Sequence, residues 1–176
     1  MKKYRINRRS RSFRPIVTLI ALAAIVGGIF LYNYYDHQSP VPSNILHQIN
    51  FVIFYPKSNS QIVIEKNTFK YSKSLQVVSF MVNYDDKSIT IGEQATPDSF
   101  SDDPNFYPQF IQKLNGYDTL ASVNGSVDLV IPSNTNHETG VMNAKGTLMF
   151  AQSTMGNLGE NAWRQLFNSL VYVQPN

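Results

Sequence analysis

Residues that could carry out chemistry are few and widely spaced in this chain of 176 residues. The histidines are His37, which lies in a predicted stalk, and His47 and His137, which are ninety residues apart with no nearby acid at the spacing of metal ligands. A zinc site needs three or four clustered ligands, so these residues predict no metal centre. The chain has no cysteine, which excludes thiol catalysis, including sortase-type chemistry.

One acidic loop offers the oxygen ligands that calcium prefers. The loop holds Asp98, Asp102 and Asp103 among Ser99, Ser101 and Asn105. It lacks the D-x-D-x-D-G order and the distal glutamate of a calcium-binding loop. We therefore interpret these side chains as solvated acids of a turn-rich loop.

Serine chemistry also lacks its usual sequence context. The chain has no G-x-S-x-G motif and no S-x-x-K that opens a helix, and Ser72-Lys73-Ser74 is typical of a polar loop. The sequence therefore predicts no catalytic, cofactor-binding or metal-binding residue, and we expect a protein that is not an enzyme. A hydrolase with a dispersed site is the alternative that this pattern leaves open.

Aromatic residues are abundant, with 11 Phe, 10 Tyr and the single Trp163. Most of them fall at core-facing positions of predicted strands and helices, and Trp163 belongs to the stripe of a predicted helix. An exposed aromatic patch that binds glycans or peptides is the alternative to a purely structural role.

A membrane anchor precedes these elements. Residues 16–32 form an uncharged apolar run, near the minimum length for crossing a bilayer, and Tyr34 and Tyr35 suit the headgroup level. The run ends in large residues, which disfavours the alternative of a cleaved signal peptide. We predict a transmembrane helix over 16–35.

Basic residues ahead of the anchor predict its orientation. Residues 1–15 hold seven cations and no anion, so this tail should stay in the cytoplasm and contact anionic lipid headgroups. Residues 36–176 carry eight cations and twelve anions. That acidic balance argues against nucleic acid as a partner, and the remaining chain should lie outside the cytoplasm at the cell membrane.

The proline-bearing segment 36–48 predicts a stalk, and 49–176 is the size of one domain. Its strand signals include Phe51–Tyr55 and Ile62–Ile64. Three hairpins are predicted, around Asp85-Asp86-Lys87, Asn124-Gly125 and Ala144-Lys145-Gly146. Residues 95–105 are predicted to be a loop.

Two helices complete the predicted domain. The apolar spacing from Phe106 to Leu114 predicts a short middle helix. A C-terminal helix should start at an Asn157 N-cap with Glu160 in the capping box, and pack on the sheet. Its apolar stripe comprises Trp163, Leu166, Phe167 and Leu170. The fold class is therefore α+β, with one antiparallel sheet.

Several segments together resemble a known group of proteins. They are FVIFYPK, LQVVSFMVNYDDKSITIGEQA, TLASVNGSVDLVI, GTLMFAQST and the final N-L-x-E-x-x-W-x-x-L-F-x-S-L helix, within residues 50–171. The chain resembles single-span, uncharacterised envelope proteins of Gram-positive and candidate-phylum bacteria. Its outer domain is similar to a domain of unknown function on anti-sigma-factor-like and sporulation membrane proteins. These motifs are structural and imply no site residues, and the short tail departs from a sigma-binding domain.

These observations favour a non-catalytic binding or scaffolding module of the cell envelope, with an envelope protein or a glycan as partner. A sensor or regulatory subunit that acts through its membrane span is the other alternative. Gly27-Gly28 would let a second helix approach in that case.

Overall fold

The computed structural model describes residues 39–135, 137–154 and 156–175. The predicted tail, the predicted transmembrane helix and the first three residues of the predicted stalk lie outside this part of the chain. Within it, no helix is both long and apolar enough to cross a membrane.

An antiparallel sheet and a few short helices make up the described residues, which confirms the predicted α+β class. The helices are α1 (Ser43–Leu46), α2 (Ser99–Asp102), α3 (Phe106–Lys113) and α4 (Glu160–Asn168). The strands are β1 (Ile53–Pro56), β2 (Ile62–Ser72), β3 (Val77–Tyr84), β4 (Lys87–Ala95), β5 (Gly116–Ser122), β6 (Gly125–Val130), β7 (Thr139–Ala144), β8 (Thr147–Ser153) and β9 (Leu170–Val173).

Seven of these strands form one sheet in the order β2-β3-β4-β8-β7-β6-β5. The β4–β8 pairing joins the two halves of this sheet, with Ile91 opposite Ala151. The first and last strands, β1 and β9, form a separate antiparallel pair in which Ile53 lies opposite Val173.

The three predicted hairpins are present, with turns tighter than or shifted from the prediction. The β7–β8 turn is Lys145-Gly146, and both residues have positive φ, at 49° and 75°. Such backbone angles match the twist of the flanking strands and favour glycine. In the β5–β6 hairpin the turn residues are Val123 and Asn124, so Gly125 is already the first residue of β6.

The face of the sheet that holds the main core is called the inner face. In β3, Phe80 and Val82 are buried, while Ser79, Met81 and Asn83 on the other side of the strand are half-buried. This alternation is typical of a strand. Helix α4 packs on this face through Trp163, Leu166 and Phe167, all at most 1% exposed. Burial of a side chain the size of Phe167 contributes about 1.5–3 kcal/mol.

A glycine allows α4 to approach the sheet. A Cβ atom placed on Gly140 of β7 would lie 2.6 Å from Cε2 of Phe167, closer than carbon atoms pack. The predicted packing of a C-terminal helix on the sheet is therefore observed, and it depends on the missing side chain in β7.

The predicted end of the C-terminal helix is wrong. Leu170 was placed in the helical stripe, but α4 ends at Asn168 and Leu170 begins β9. Leu170 is still buried, at 4% exposure, because it continues the apolar stripe into a strand paired with β1. A stretch of four residues cannot distinguish a helical stripe from the start of a strand.

Part of the predicted stalk belongs to the domain. Ile45 and Leu46 of α1, together with Val41 and Ile49, are buried against Ile53 of β1. The two nearby prolines predicted a stalk, but burial of these apolar side chains stabilises the segment against the domain. The packed domain thus begins at Val41 rather than at residue 49.

The opposite face of the sheet, called the outer face, is covered only in part. Phe110 and Tyr107 of α3, with Phe100 of α2, pack over Val141 and Leu148. The predicted loop at 95–105 therefore contains a short helix, α2, whose Phe100 contributes to this second apolar cluster.

Candidate functional site

The residues first considered for chemistry are not brought together. His47 follows α1 on the surface and His137 lies before β7, while His37 is outside the described residues. Among the described residues, no group of three or more His, Cys, Asp or Glu side chains is placed to hold a metal ion.

The acidic loop has local roles. Asp98 precedes α2, Asp102 ends it, and the Asp103 carboxylate accepts a hydrogen bond from the Asn105 amide at 2.8 Å. That short-range bond is typical of a turn and not of a calcium site. The hydroxyl groups of Ser72 and Ser74 lie 3.3 Å apart at the β2–β3 turn.

Glu138 is a buried carboxylate that sequence reasoning missed. It is 5% exposed, and it accepts hydrogen bonds from the Leu158 amide at 2.7 Å and from the Tyr117 hydroxyl. Burial favours the neutral acid, but these bonds and the nearby Gly159 amide outweigh it and hold the pKa of Glu138 below its usual range. The Trp163 indole N–H adds to that lowering, although it makes no hydrogen bond of good geometry.

This carboxylate, and neither residue of the predicted cap, interacts with the segment that leads into α4. The N-cap of α4 is Gly159, at φ 86°, and its side chain offers no acceptor. Asn157 and Glu160 were predicted to cap the helix, and that prediction is wrong. The Glu138 carboxylate, distant in sequence, accepts a hydrogen bond from the Leu158 amide just before the helix. It thereby places a negative charge near the N-terminus of α4, the positive end of the helix dipole.

Glu93 is a second buried carboxylate, at 0% exposure. Both of its oxygens accept a hydrogen bond from the Phe54 amide, at 3.2 and 3.0 Å. Nearby in the fold, the Thr147 hydroxyl donates a hydrogen bond to the Val52 carbonyl at 2.6 Å. Burial raises the pKa of Glu93 well above its usual range, while the bond from Phe54 opposes that rise. Because β1 pairs with β9 and not with the main sheet, these two side chains attach it to the inner face.

A polar cleft of about 590 Å³ lies beside the start of α4. Its walls include Asp85, Asp86 and Glu160, and its lysine, Lys87, donates to the Asn157 carbonyl at 2.8 Å. The Tyr84 hydroxyl also lines the cleft and donates to the Gln165 side chain. The cleft therefore holds charged and polar side chains that partly pair with one another.

The outer face of the four central strands has a different character. By register, its residues form rows across β3, β4, β8 and β7, such as Met81, Thr90, Gln152 and Thr139. None of the outward side chains in these rows is charged. They are Ser79, Met81, Asn83, Ser88, Thr90, Gly92, Gln94, Leu148, Phe150, Gln152, Thr139, Val141 and Asn143.

Charges flank this uncharged outer face on both sides. Glu65 and Lys70 of β2 lie beside Met81 and Ser79, and Asp128 of β6 lies beside Val141. With about 4.8 Å between neighbouring strands, the uncharged part is roughly 14 Å wide. In the sequence, Thr90 and Gly92 alternate with Ile89 and Ile91, but only the strand register aligns the uncharged rows.

A groove of about 350 Å³ lies on this face beside α3. Phe150 is half-buried there and contacts Phe110 edge to face, with ring centroids 6.2 Å apart. Beside it, a Cβ on Gly92 would meet only Val77, at 4.0 Å, so the floor is open. The full lining is Thr90, Gly92, Leu114, Val130, Pro132, Asn134, Thr135, Thr139, Phe150 and Gln152.

Several polar side chains of this surface have weak hydrogen bonds or none to the part of the protein that the structure describes. The Gln152 side-chain amide donates weakly to the hydroxyls of Thr135 and Thr139, at 3.4 and 3.3 Å. Within the described residues, the side chains of Thr90, Gln94 and Asn134 make no hydrogen bond to protein. The groove therefore combines an aromatic ring with polar groups that a ligand could bind.

Fold and surface together define an α+β domain with a half-covered antiparallel sheet. Comparison of the chain with models of known families, with curated proteins and with solved structures gives no match. Since a fold by itself does not specify a function, the function is argued from the surface chemistry.

Proposed function

We propose that the chain is a non-catalytic binding module of the cell envelope, anchored by its N-terminal segment, whose ligand binds on the uncharged outer face. The observation that carries the proposal is the groove beside α3, with its aromatic ring and unpaired polar groups. An open surface with few directed polar groups suits binding, whereas hydrolysis would need a nucleophile or acid-base pair.

The membrane part of the proposal rests on the sequence. Seven cations precede an uncharged run of 17 residues, which is the pattern of a single span with a cytoplasmic N-terminus.

Retention of envelope material by the full chain in mild detergent tests the proposal. Thr90→Lys puts a long charged side chain on the uncharged outer face. Asn161→Lys puts the same charge on an exposed residue of the polar cleft and is the matched control. We expect the wild type and Asn161→Lys to retain the same protein, glycan or lipid, and Thr90→Lys to lose it.

Two results would overturn this proposal. Retention of nothing by the wild type would show that the chain is not a binding module. Loss of retention in Asn161→Lys but not in Thr90→Lys would move the ligand to the cleft beside α4.

A further inference from the structure

We propose that the ligand of the uncharged outer face is an uncharged oligosaccharide. This inference rests on the proposed function and specifies the class of ligand that the same surface binds.

Charge is the first argument. A surface that binds an anionic or cationic ligand needs opposite charges near it, and the groove lining has none. The nearest charges in the strand register, Glu65, Lys70 and Asp128, lie outside the four central strands. Burying a charged ligand group on these uncharged rows would remove its hydration without supplying a partner.

The arrangement of polar and apolar groups is the second argument. A sugar ring has an apolar face of C–H groups and an edge of hydroxyls. On this surface, the open floor at Gly92 leaves space beside the Phe150 ring, where a C–H face could pack. The hydroxyl of Thr90 and the amide of Asn134, which have no hydrogen-bond partner among the described residues, line the same groove.

Other ligand classes fit less well. An extended peptide binds a sheet through the unpaired backbone groups of an edge strand, whereas this surface lies over central strands whose backbones are paired on both sides. A lipid chain needs a continuous apolar wall. Here the row of Thr90, Gln152 and Thr139 crosses the surface with polar side chains.

Binding of defined oligosaccharides to the full chain in lipid nanodiscs tests the inference. The neutral probes are tetramers of β-1,4-linked glucose and of β-1,4-linked N-acetylglucosamine, and the charged probe is a tetramer of galacturonic acid. We expect a neutral probe to bind and the charged probe to bind at least tenfold more weakly. Raising the salt concentration from 50 to 500 mM should change the affinity of the neutral probe less than twofold, because screening acts only on charge.

Variants then locate the binding. Thr90→Lys should lower the affinity for the neutral probe at least tenfold, and Gln152→Glu should lower it as well. Asn161→Lys should leave that affinity unchanged. Thr90 and Gln152 are half-buried side chains of the outer face and not part of the main core, so both variants should fold.

The results separate this inference from the proposed function. If Thr90→Lys abolishes retention of envelope material but no neutral tetramer binds, the ligand class is wrong and the binding surface stands. Preference for the charged tetramer, or for phospholipid vesicles or a peptide over every sugar, would also overturn the inference. If Thr90→Lys leaves retention intact, the proposed function itself fails.

Discussion

Replacement of Glu138 by alanine should destabilise the domain by about 3 kcal/mol. A hydrogen bond to a charged group contributes about 1.5–3 kcal/mol, and the buried Leu158 amide supplies one such bond at 2.7 Å. The bond from Tyr117 is discounted to about 1 kcal/mol, since that tyrosine is 52% exposed. For a domain of this size, 3 kcal/mol corresponds to roughly 10 °C in Tm.

The assay is thermal unfolding of the full chain, followed by the fluorescence of Trp163. This is the single tryptophan of the chain, it is fully buried, and it lies on the helix that Glu138 caps. Glu160→Ala is the matched control, because Glu160 is exposed and forms an ion pair with the solvent-accessible Arg164, at 2.6 Å. We expect Glu160→Ala to cost less than about 1 kcal/mol.

Acid dependence gives the same prediction a second readout. The pKa of Glu138 is lowered in the folded protein, so its contribution is present above the unfolded pKa of about 4.3 and is lost as the pH falls further. As the pH is lowered below this value, the free energy of unfolding of Glu138→Gln should therefore fall less steeply than that of the wild type. A loss below about 1 kcal/mol for Glu138→Ala, with a larger loss for Glu160→Ala, would refute capping by Glu138.

Three further predictions concern packing and the attachment of β1. The pKa of Glu93 is raised in the folded protein, so its contribution is present below the usual pKa of 4.5 and is lost as the pH rises. Glu93→Gln should thus be more stable than the wild type at pH 8 and equal to it at pH 4, as urea titrations would show. Thr147→Val should cost about 1–3 kcal/mol in the same titration, because the Val52 carbonyl loses its buried donor. Gly140→Ala should cost about 1–3 kcal/mol in Tm analysis, since its methyl group would overlap Phe167, whereas Gly92→Ala should cost less because a Cβ there would meet only Val77, at 4.0 Å. A Gly140→Ala protein as stable as the wild type would contradict the close approach of α4.

The sequence was a good guide to elements that local pattern determines. The β3–β4 hairpin follows from alternation around Asp85, and α3 follows from the apolar spacing between Phe106 and Lys113. Burial of Trp163 and Phe167 was likewise predictable, because helical spacing already places them on one face.

Features that depend on contacts distant in sequence were not predictable. The carboxylate beside the start of α4 belongs to Glu138. The side chains that attach β1 belong to Glu93 and Thr147, on strands distant from β1 in sequence. The long edge strand β2 was missed beyond Ile64 because polar residues and a register shift between Glu65 and Lys70 interrupt its alternation.

The candidate site shows the same limit. Thr90 alternates with Ile89 and Ile91 in the sequence, but its position beside Gln152 depends on the pairing of β4 with β8, far apart in sequence. Uncharged residues become a surface only when the strand order brings their rows together. Uncharged residues at scattered positions in the sequence do not form a motif that could be recognised before the strand order is known.

The most direct test of the account is to map ligand contacts by nuclear magnetic resonance on the full chain in nanodiscs, titrated with the better-binding neutral tetramer. We expect the amide shifts of Thr90, Gly92 and Gln152 to move together and to saturate, while those of Gly159 and Asn161 beside α4 stay unchanged. No saturable shift with either neutral tetramer, or shifts confined to Gly159 and Asn161, would contradict a glycan-binding outer face.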